Sequence, residues 1–419
     1  MKKFSLLSLC LTATLAMSAQ TALVDEVKHM LGQSKPNFEE ALAKIQPALT
    51  NPETKDNPNA WYLAGKAGIG VYDSYLLKQT LGEQLTPAQE KAAGEGLYQG
   101  YIDYFHAIPI DFEIDKKTGQ PKLGKDGQPK PGKLQKEMQK TLKDNYVQLR
   151  QAGALLYDAK DYMGAYDVWQ IYVDLPTCEL LGNDKPTADP DSIVGQTLYY
   201  QFISALLAEK DQLALDKLPQ IEKTGFNNPE MYIYGIQAAN KLGDSILVAK
   251  LAQKGYELYG TENIEFIGQL INQKMAANDY AGAQKLVEEA IATTSSDDIN
   301  LKSRLLNILG IIYESQDMND KALATFEEAM KIDPSLAKNY YDAARVDYNQ
   351  AMKIEQANPD EYNISKEAMD KFLKSAELFE KAYELDPDTL TDIPRNLYNL
   401  YYMLGDGYVS KMNYWKELR

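Results

Sequence analysis

Between Ser303 and Pro334, apolar or small residues stand at 306, 309, 310 and 313 and again at 322, 326 and 329. Spacings of three and four put each set on one face of a helix, so the segment predicts two amphipathic helices. Pro334 cannot continue a helix and closes the second one. Gly310 and Ala322 are small, which lets the two helices approach closely. The pattern returns as Leu149, Ala152, Gly153, Leu156, Tyr162, Ala165, Trp169 and Tyr172, and as Ile267, Leu270, Ile271, Tyr280, Ala283, Val287 and Ala290. A weaker copy holds Ile233, Ile236, Gly243, Asp244, Ala249 and Tyr256. Near the start, Phe38, Ala41, Ile45 and Ala48 precede Trp61, Ala64 and Gly65. Near the end, Tyr340, Ala343 and Ala344 precede Phe379, Ala382 and Pro387. Alternating Val/Ile runs are scarce, so the chain reads as about seven to nine helical hairpins with no sheet.

The best window opens at Ser303 and carries Leu306, Leu309, Gly310, Tyr313, Ala322, Phe326, Ala329 and Pro334 at its positions 4, 7, 8, 11, 20, 24, 27 and 32. This framework resembles the tetratricopeptide repeat. The resemblance implies an all-α fold, a right-handed α-solenoid of tandem hairpins, in which each hairpin buries one face on its partner and the other on the next repeat. It also implies that positions 2, 5, 9 and 12 of each first helix line a groove. Those positions are Arg304, Asn307, Ile311 and Glu314 in the best repeat, and Lys338, Tyr341, Arg345 and Tyr348 in the next. The window opening at Glu230 gives Met231, Tyr234, Ala238 and Lys241. The candidate partner-binding residues are therefore Tyr234, Lys241, Arg304, Asn307, Lys338, Tyr341, Arg345 and Tyr348. Tyr341, Arg345 and Tyr348 share one helical face and form the densest aromatic and cationic group. The family's clamp for a C-terminal carboxylate needs Lys and Asn on successive first helices. Position 5 here is Asn307 and then Tyr341, and position 9 is Ile311 and then Arg345, so that mode is not expected.

Two segments break the period. Residues 108–134 are rich in Lys, Gly and Pro, with Thr118-Gly119 and Asp126-Gly127 as turn pairs, and predict a small hairpin or a mobile loop inserted among the helices. Residues 177–192 hold prolines and acidic residues, and place a boundary between an N-terminal array over 23–176 and a C-terminal array over 188–419. The helix from Pro394 to Leu404 and the segment after it are placed to cap the array. Residues 1–22 read as an export signal: Lys2 and Lys3 lead an uncharged stretch from Phe4 to Met17, followed by the small residues Ser18, Ala19 and Ala22. Cys10 is no lipid acceptor, since Leu9 stands where a small residue is needed. Periplasmic, envelope-associated or secreted placement follows, with no membrane span after cleavage.

Composition then narrows the partner. The net charge is −16, and only Arg150, Arg304, Arg345, Arg395 and Arg419 supply guanidinium groups, which disfavours nucleic acid. A neutral or basic protein or peptide is easier to accommodate; oligomeric state is not fixed by these features. Two histidines, His29 and His106, have no partners at ligand or triad spacing, and Cys178 lacks a neighbouring positive charge. No phosphate loop, GxSxG elbow or calcium loop occurs, so no catalytic residue, cofactor or metal is expected. The glycines over 65–70 are accounted for by close helix packing. The 29 tyrosines include Tyr199-Tyr200, Tyr340-Tyr341 and Tyr401-Tyr402. Adjacent helical residues diverge by about 100 degrees, so both members of a pair cannot face one core. That abundance supports a second reading, a protein that binds carbohydrate or a small ligand through Tyr and Trp faces. Trp61 and Trp169 occupy framework positions, which weighs against it.

Overall fold

The computed structural model describes residues 21–260, 263–357 and 364–419. The export signal expected over residues 1–22 and Cys10 fall almost wholly outside that range. The chain divides after Met231 into two compact units.

In the first unit, residues 21–31 are helical and seal the end of the array with Val24, Val27 and Leu31. They are followed by α1 (Phe38–Thr50), α2 (Pro58–Thr80), α3 (Pro87–Ala107), α4 (Gln135–Asp144), α5 (Gln148–Asp158), α6 (Tyr162–Asp174), α7 (Asp191–Leu207), α8 (Asp211–Leu215) and α9 (Leu218–Lys223). The division falls within α10 (Pro229–Lys241). The second unit continues with α11 (Ser245–Tyr259), α12 (Ile264–Ala276), α13 (Tyr280–Thr293), α14 (Ile299–Ser315), α15 (Asn319–Ile332), α16 (Ala337–Ala357), α17 (Lys366–Leu385), α18 (Ile393–Leu404) and α19 (Val409–Leu418). Within each unit, consecutive helices pack as hairpins and each hairpin stacks on the next, so the fold is an all-α solenoid. No strand occurs among the described residues.

The hairpins follow from the framework. Leu306, Leu309 and Gly310 of α14 are buried together with Ala322, Phe326 and Ala329 of α15. A Cβ on Gly310 would lie 2.5 Å from the Phe326 ring, so only glycine lets that ring seat against the helix. Gly153 and Trp169 repeat the arrangement between α5 and α6, where a Cβ would collide with the indole. The turn between paired helices also repeats. Lys160, Glu209, Gly243, Asn278 and Asp317 each take a left-handed conformation one residue before a second helix begins to form. Asp161, Asp244 and Asp279 then cap α6, α11 and α13 by accepting from the backbone N–H three residues on. The turn at Glu209 marks a repeat whose second helix is split into α8 and α9. Phe202, fully buried, occupies the usually small eighth position there.

The longest pairing in the first unit, α2 against α3, uses a different device. A Cβ on Gly68 would lie 2.6 Å from the Gly96 carbonyl oxygen, so the two backbones touch through glycine. Behind that seam, Asp103 is fully buried; Gln99 Nε2 donates to its Oδ1 at 2.7 Å, and its Oδ2 has no hydrogen-bond partner among the described residues. Burial pushes its carboxyl up to about 7.

Residues 108–134 are tied to the helices at both ends: Ile108 is buried in the core and its carbonyl accepts from Gln135 Nε2 at 2.8 Å. The Asp111 carboxylate accepts from the N–H groups of Leu134 and Gln135, at 2.9 and 2.8 Å, and so caps α4 from across the insertion. Beyond it, three extended stretches close in a ring of backbone hydrogen bonds: Glu113 N–H donates to Lys130, Lys130 to Lys122, and Lys122 to Glu113. Gly119 and Gly127 supply the positive φ at the two turns. On the far side of residues 177–190, α7 packs on α6 within the first unit. At the chain's end, α19 folds back so that Trp415 is buried edge-on to Tyr383 at 5.2 Å.

Candidate functional site

Successive first helices of the repeats leave a hollow in each unit. In the second unit it has a volume of about 470 Å³ and is made by α12, α14 and the start of α16. Arg304 stands on its wall and forms no ion pair or hydrogen bond among the described residues. Around it are the amides of Gln269, Asn272 and Asn300, and the ammonium of Lys338 at the rim. Ile264 and Ile308 give the floor its apolar part, and Gly268 leaves it open, since a Cβ there would meet nothing within 4 Å.

The floor is held by a buried polar network. Asn307 lines the hollow but is 3% exposed, and its Nδ2 donates to Asp342 Oδ2 at 3.0 Å. Lys338 approaches the same carboxylate at 3.3 Å and Arg345 reaches its other oxygen at 3.1 Å. Arg345 also pairs with Glu314 at 2.8 Å. Burial raises the Glu314 carboxyl, against the lowering effect of Arg345. Ser303 Oγ donates to the Ala329 carbonyl and accepts from Asn339 Nδ2, so the polar residues beside the hollow join three helices.

The predicted groove residues therefore separate into three sets. Arg304, Asn307 and Lys338 come together at the hollow. Tyr341, Arg345 and Tyr348 share a helical face but are engaged within the unit. The Tyr341 hydroxyl donates to Asp392 at 2.7 Å and its ring meets Phe379 edge-on, while Tyr348 meets Phe372 edge-on at 5.7 Å. Burial, followed by the Asp392 hydrogen bond, raises the Tyr341 phenol to about 12. Tyr234 is half-buried and Lys241 exposed on α10, and neither lines the hollow. Glu265, Gly268 and Asn272 do line it. They occupy positions 2, 5 and 9 of a window opening at Ile264, so the same spacing rule carried one repeat earlier finds them.

The first unit's hollow, also about 470 Å³, lies between α5 and α7 with Leu76 of α2. Positions 2, 5 and 9 of the window opening at Tyr146 supply Val147, Arg150 and Ala154. The back wall is aromatic. Trp169 is buried with its indole N–H donating to the Arg150 carbonyl at 3.1 Å, and Tyr200 lies beside it, ring centroids 5.8 Å apart. Of the other tryptophans, Trp61 is half-buried and stacks on His106 at 4.6 Å, and Trp415 is buried. Cys178 is a free, partly buried thiol. Among the described residues no group of three or more His, Cys, Asp or Glu side chains is placed to hold a metal ion, and no helix is long and apolar enough to cross a membrane.

No protein-family model and no curated protein matches this chain. Solved structures similar to it are helical-repeat proteins. The C-terminal part of a TPR repeat-containing protein from Cytophaga hutchinsonii is 15% identical over 64% of this chain and 93% of its own, with a TM-score of 0.42. MamA from Desulfovibrio magneticus RS-1 is 17% identical over 47% of this chain and 97% of its own, with a TM-score of 0.34. YrrB, described as a TPR protein with an unusual peptide-binding site, is 15% identical over 60% of this chain and 93% of its own, with a TM-score of 0.28. The tetratricopeptide character of this chain rests on its own framework residues and the hairpins they form.

Proposed function

We propose that this protein is a non-catalytic binding protein of the cell envelope that holds an extended peptide segment of another protein in the hollow of its second unit. The observation that carries this reading is Arg304, a guanidinium without an ion pair among the described residues, set among the neutral amides of α12 and α14 with Glu265 on the same lining. Amides donate and accept at once, as the main chain of an extended peptide does, and Gly268 leaves room for its backbone. Arg304 and Lys338 give the segment one point of polar attachment, while the surrounding charge of −16 disfavours a polyanionic partner. Envelope placement is supported by the lysine-led uncharged run over residues 2–17.

A phage-displayed library of peptides about 12 residues long, selected on the protein, supplies synthetic ligands for fluorescence anisotropy. Arg304→Ala and Asn272→Ala are each expected to weaken the selected peptide roughly tenfold without changing the circular dichroism spectrum. Unchanged affinity in both variants would remove the hollow from the reading. Fractionation of cells making the native chain, with sequencing of the mature N-terminus, tests the envelope placement.

A further inference from the structure

The hollow of the first unit has a different chemistry from the second. Tyr200 is 42% exposed, and Tyr199 lies with its ring centroid 6.2 Å from the Tyr200 ring. Trp169 and Tyr157 back that ring, with centroids 5.8 and 6.4 Å away, so it is held as a fixed shelf. In front of it stand the neutral amides Gln148, Gln151 and Gln196, and the only formal charge on the lining is Arg150. Gln148 Oε1 is buried without a hydrogen-bond partner among the described residues.

From these features we infer that the hollow between α5 and α7 is a binding site for a hexose-based oligosaccharide, with Tyr200 stacking on the apolar face of one sugar ring. Pyranose rings present C–H groups on a flat face and hydroxyls around the edge. The face fits an open aromatic shelf, and hydroxyls both donate and accept, as the surrounding amides do. An apolar peptide anchor would strip water from Gln148 and Gln196 without replacing its hydrogen bonds. The volume lies within the range of about 300–1,000 Å³ usual for small-ligand sites. This inference concerns a different unit and different residues from the peptide hollow.

The test is isothermal titration calorimetry of the full chain with maltohexaose, cellohexaose, laminarihexaose and chitohexaose. At least one is expected to bind with a Kd below about 1 mM. Tyr200→Ala and Gln148→Leu should each weaken that ligand roughly tenfold, Tyr200→Trp should restore stacking, and Arg304→Ala should leave it unchanged. Tyr200 is exposed, so its variants carry little folding burden, and circular dichroism confirms their helix content. No binding of any of the four sugars at about 10 mM overturns the inference. Wild-type affinity in both Tyr200→Ala and Gln148→Leu overturns it as well. Loss of sugar binding on Arg304→Ala would move the site to the second unit and overturn it too.

Discussion

The two hollows have the same volume, about 470 Å³, arise at the same positions of the repeat and both carry neutral amides, yet the rest of their linings differs. In the first unit the wall is Trp169 and Tyr200 with Val147 and Leu76, and one cation stands on the lining. In the second it is amides and isoleucines with Arg304, Lys338 and Glu265. The framework residues create the space by setting how close neighbouring helices come. Residues outside the framework are free to vary and decide what the space can hold. A solenoid thus separates the residues that fold it from those that recognise a ligand.

The largest expected effects break the framework on which both hollows depend. Gly153→Val and Gly310→Val each force a side chain into a facing ring, and overpacking of this kind costs about 1–3 kcal/mol, or a fall of roughly 2–12 °C in melting temperature by calorimetry. Tolerance of one and collapse of the other would show that the two units do not use the framework alike. Next is the buried network that only the second hollow has. Asn307→Leu removes the donor to Asp342 Oδ2 and should cost about 1–3 kcal/mol in urea unfolding. An unchanged midpoint would mean that Arg345 and Lys338 satisfy Asp342 alone.

Asp103 sharpens the comparison from the other side, because the first unit buries a lone carboxyl while the second pairs its buried ones. Its folded pKa, about 7, lies above the ordinary aspartate value of 3.8, so between those values the unfolded chain releases the proton first. Stability contributed by the protonated form is complete below about pH 4 and is lost as pH rises through 7. Asp103→Asn should therefore raise the melting temperature at pH 8 by at least about 4 °C and change it little at pH 4. An equal gain at both values would mean that packing, not titration, is responsible. The smallest effect is salt. Raising ionic strength from about 0.05 to 0.5 M should weaken peptide binding at Arg304 a few-fold and sugar binding at Tyr200 less than twofold. The reverse order would exchange the two ligand assignments.

Much of the fold was legible because helix packing is local and periodic. Leu306, Gly310, Ala322 and Phe326 announce a hairpin by spacing, and the structure buries all of them. One repeat escaped that reading: Phe202 replaces the small eighth residue and Pro219 accompanies a split second helix, so the α7–α9 unit lacks the usual signature. Its mark is the left-handed turn at Glu209, which a sequence does not announce because glutamate rarely adopts it. The groove rule was legible only in part. Carried to the windows at Tyr146 and Ile264, it names Val147, Arg150, Ala154, Glu265, Gly268 and Asn272. At the windows where it was first applied, Tyr234, Lys241, Tyr341, Arg345 and Tyr348 do not line the hollow.

The chain by itself determined which residues face inward on the regular helices and where their hairpins turn, the α7–α9 repeat excepted, since both depend on spacing of three and four and on small residues. It also determined the excess of acid over base, 60 residues against 44. Only the tertiary structure decided which outward residues stay open. Tyr341 and Tyr200 both belong to adjacent tyrosine pairs on first helices, and no local pattern separates them. Asp392 and Phe379, from elements about 40–50 residues further on, close over Tyr341 and occupy its hydroxyl and ring. Tyr200 has Trp169, Tyr157 and Tyr199 as ring neighbours yet stays 42% exposed. Whether a side chain is covered depends on what arrives from distant parts of the chain, and helical periodicity carries no record of that.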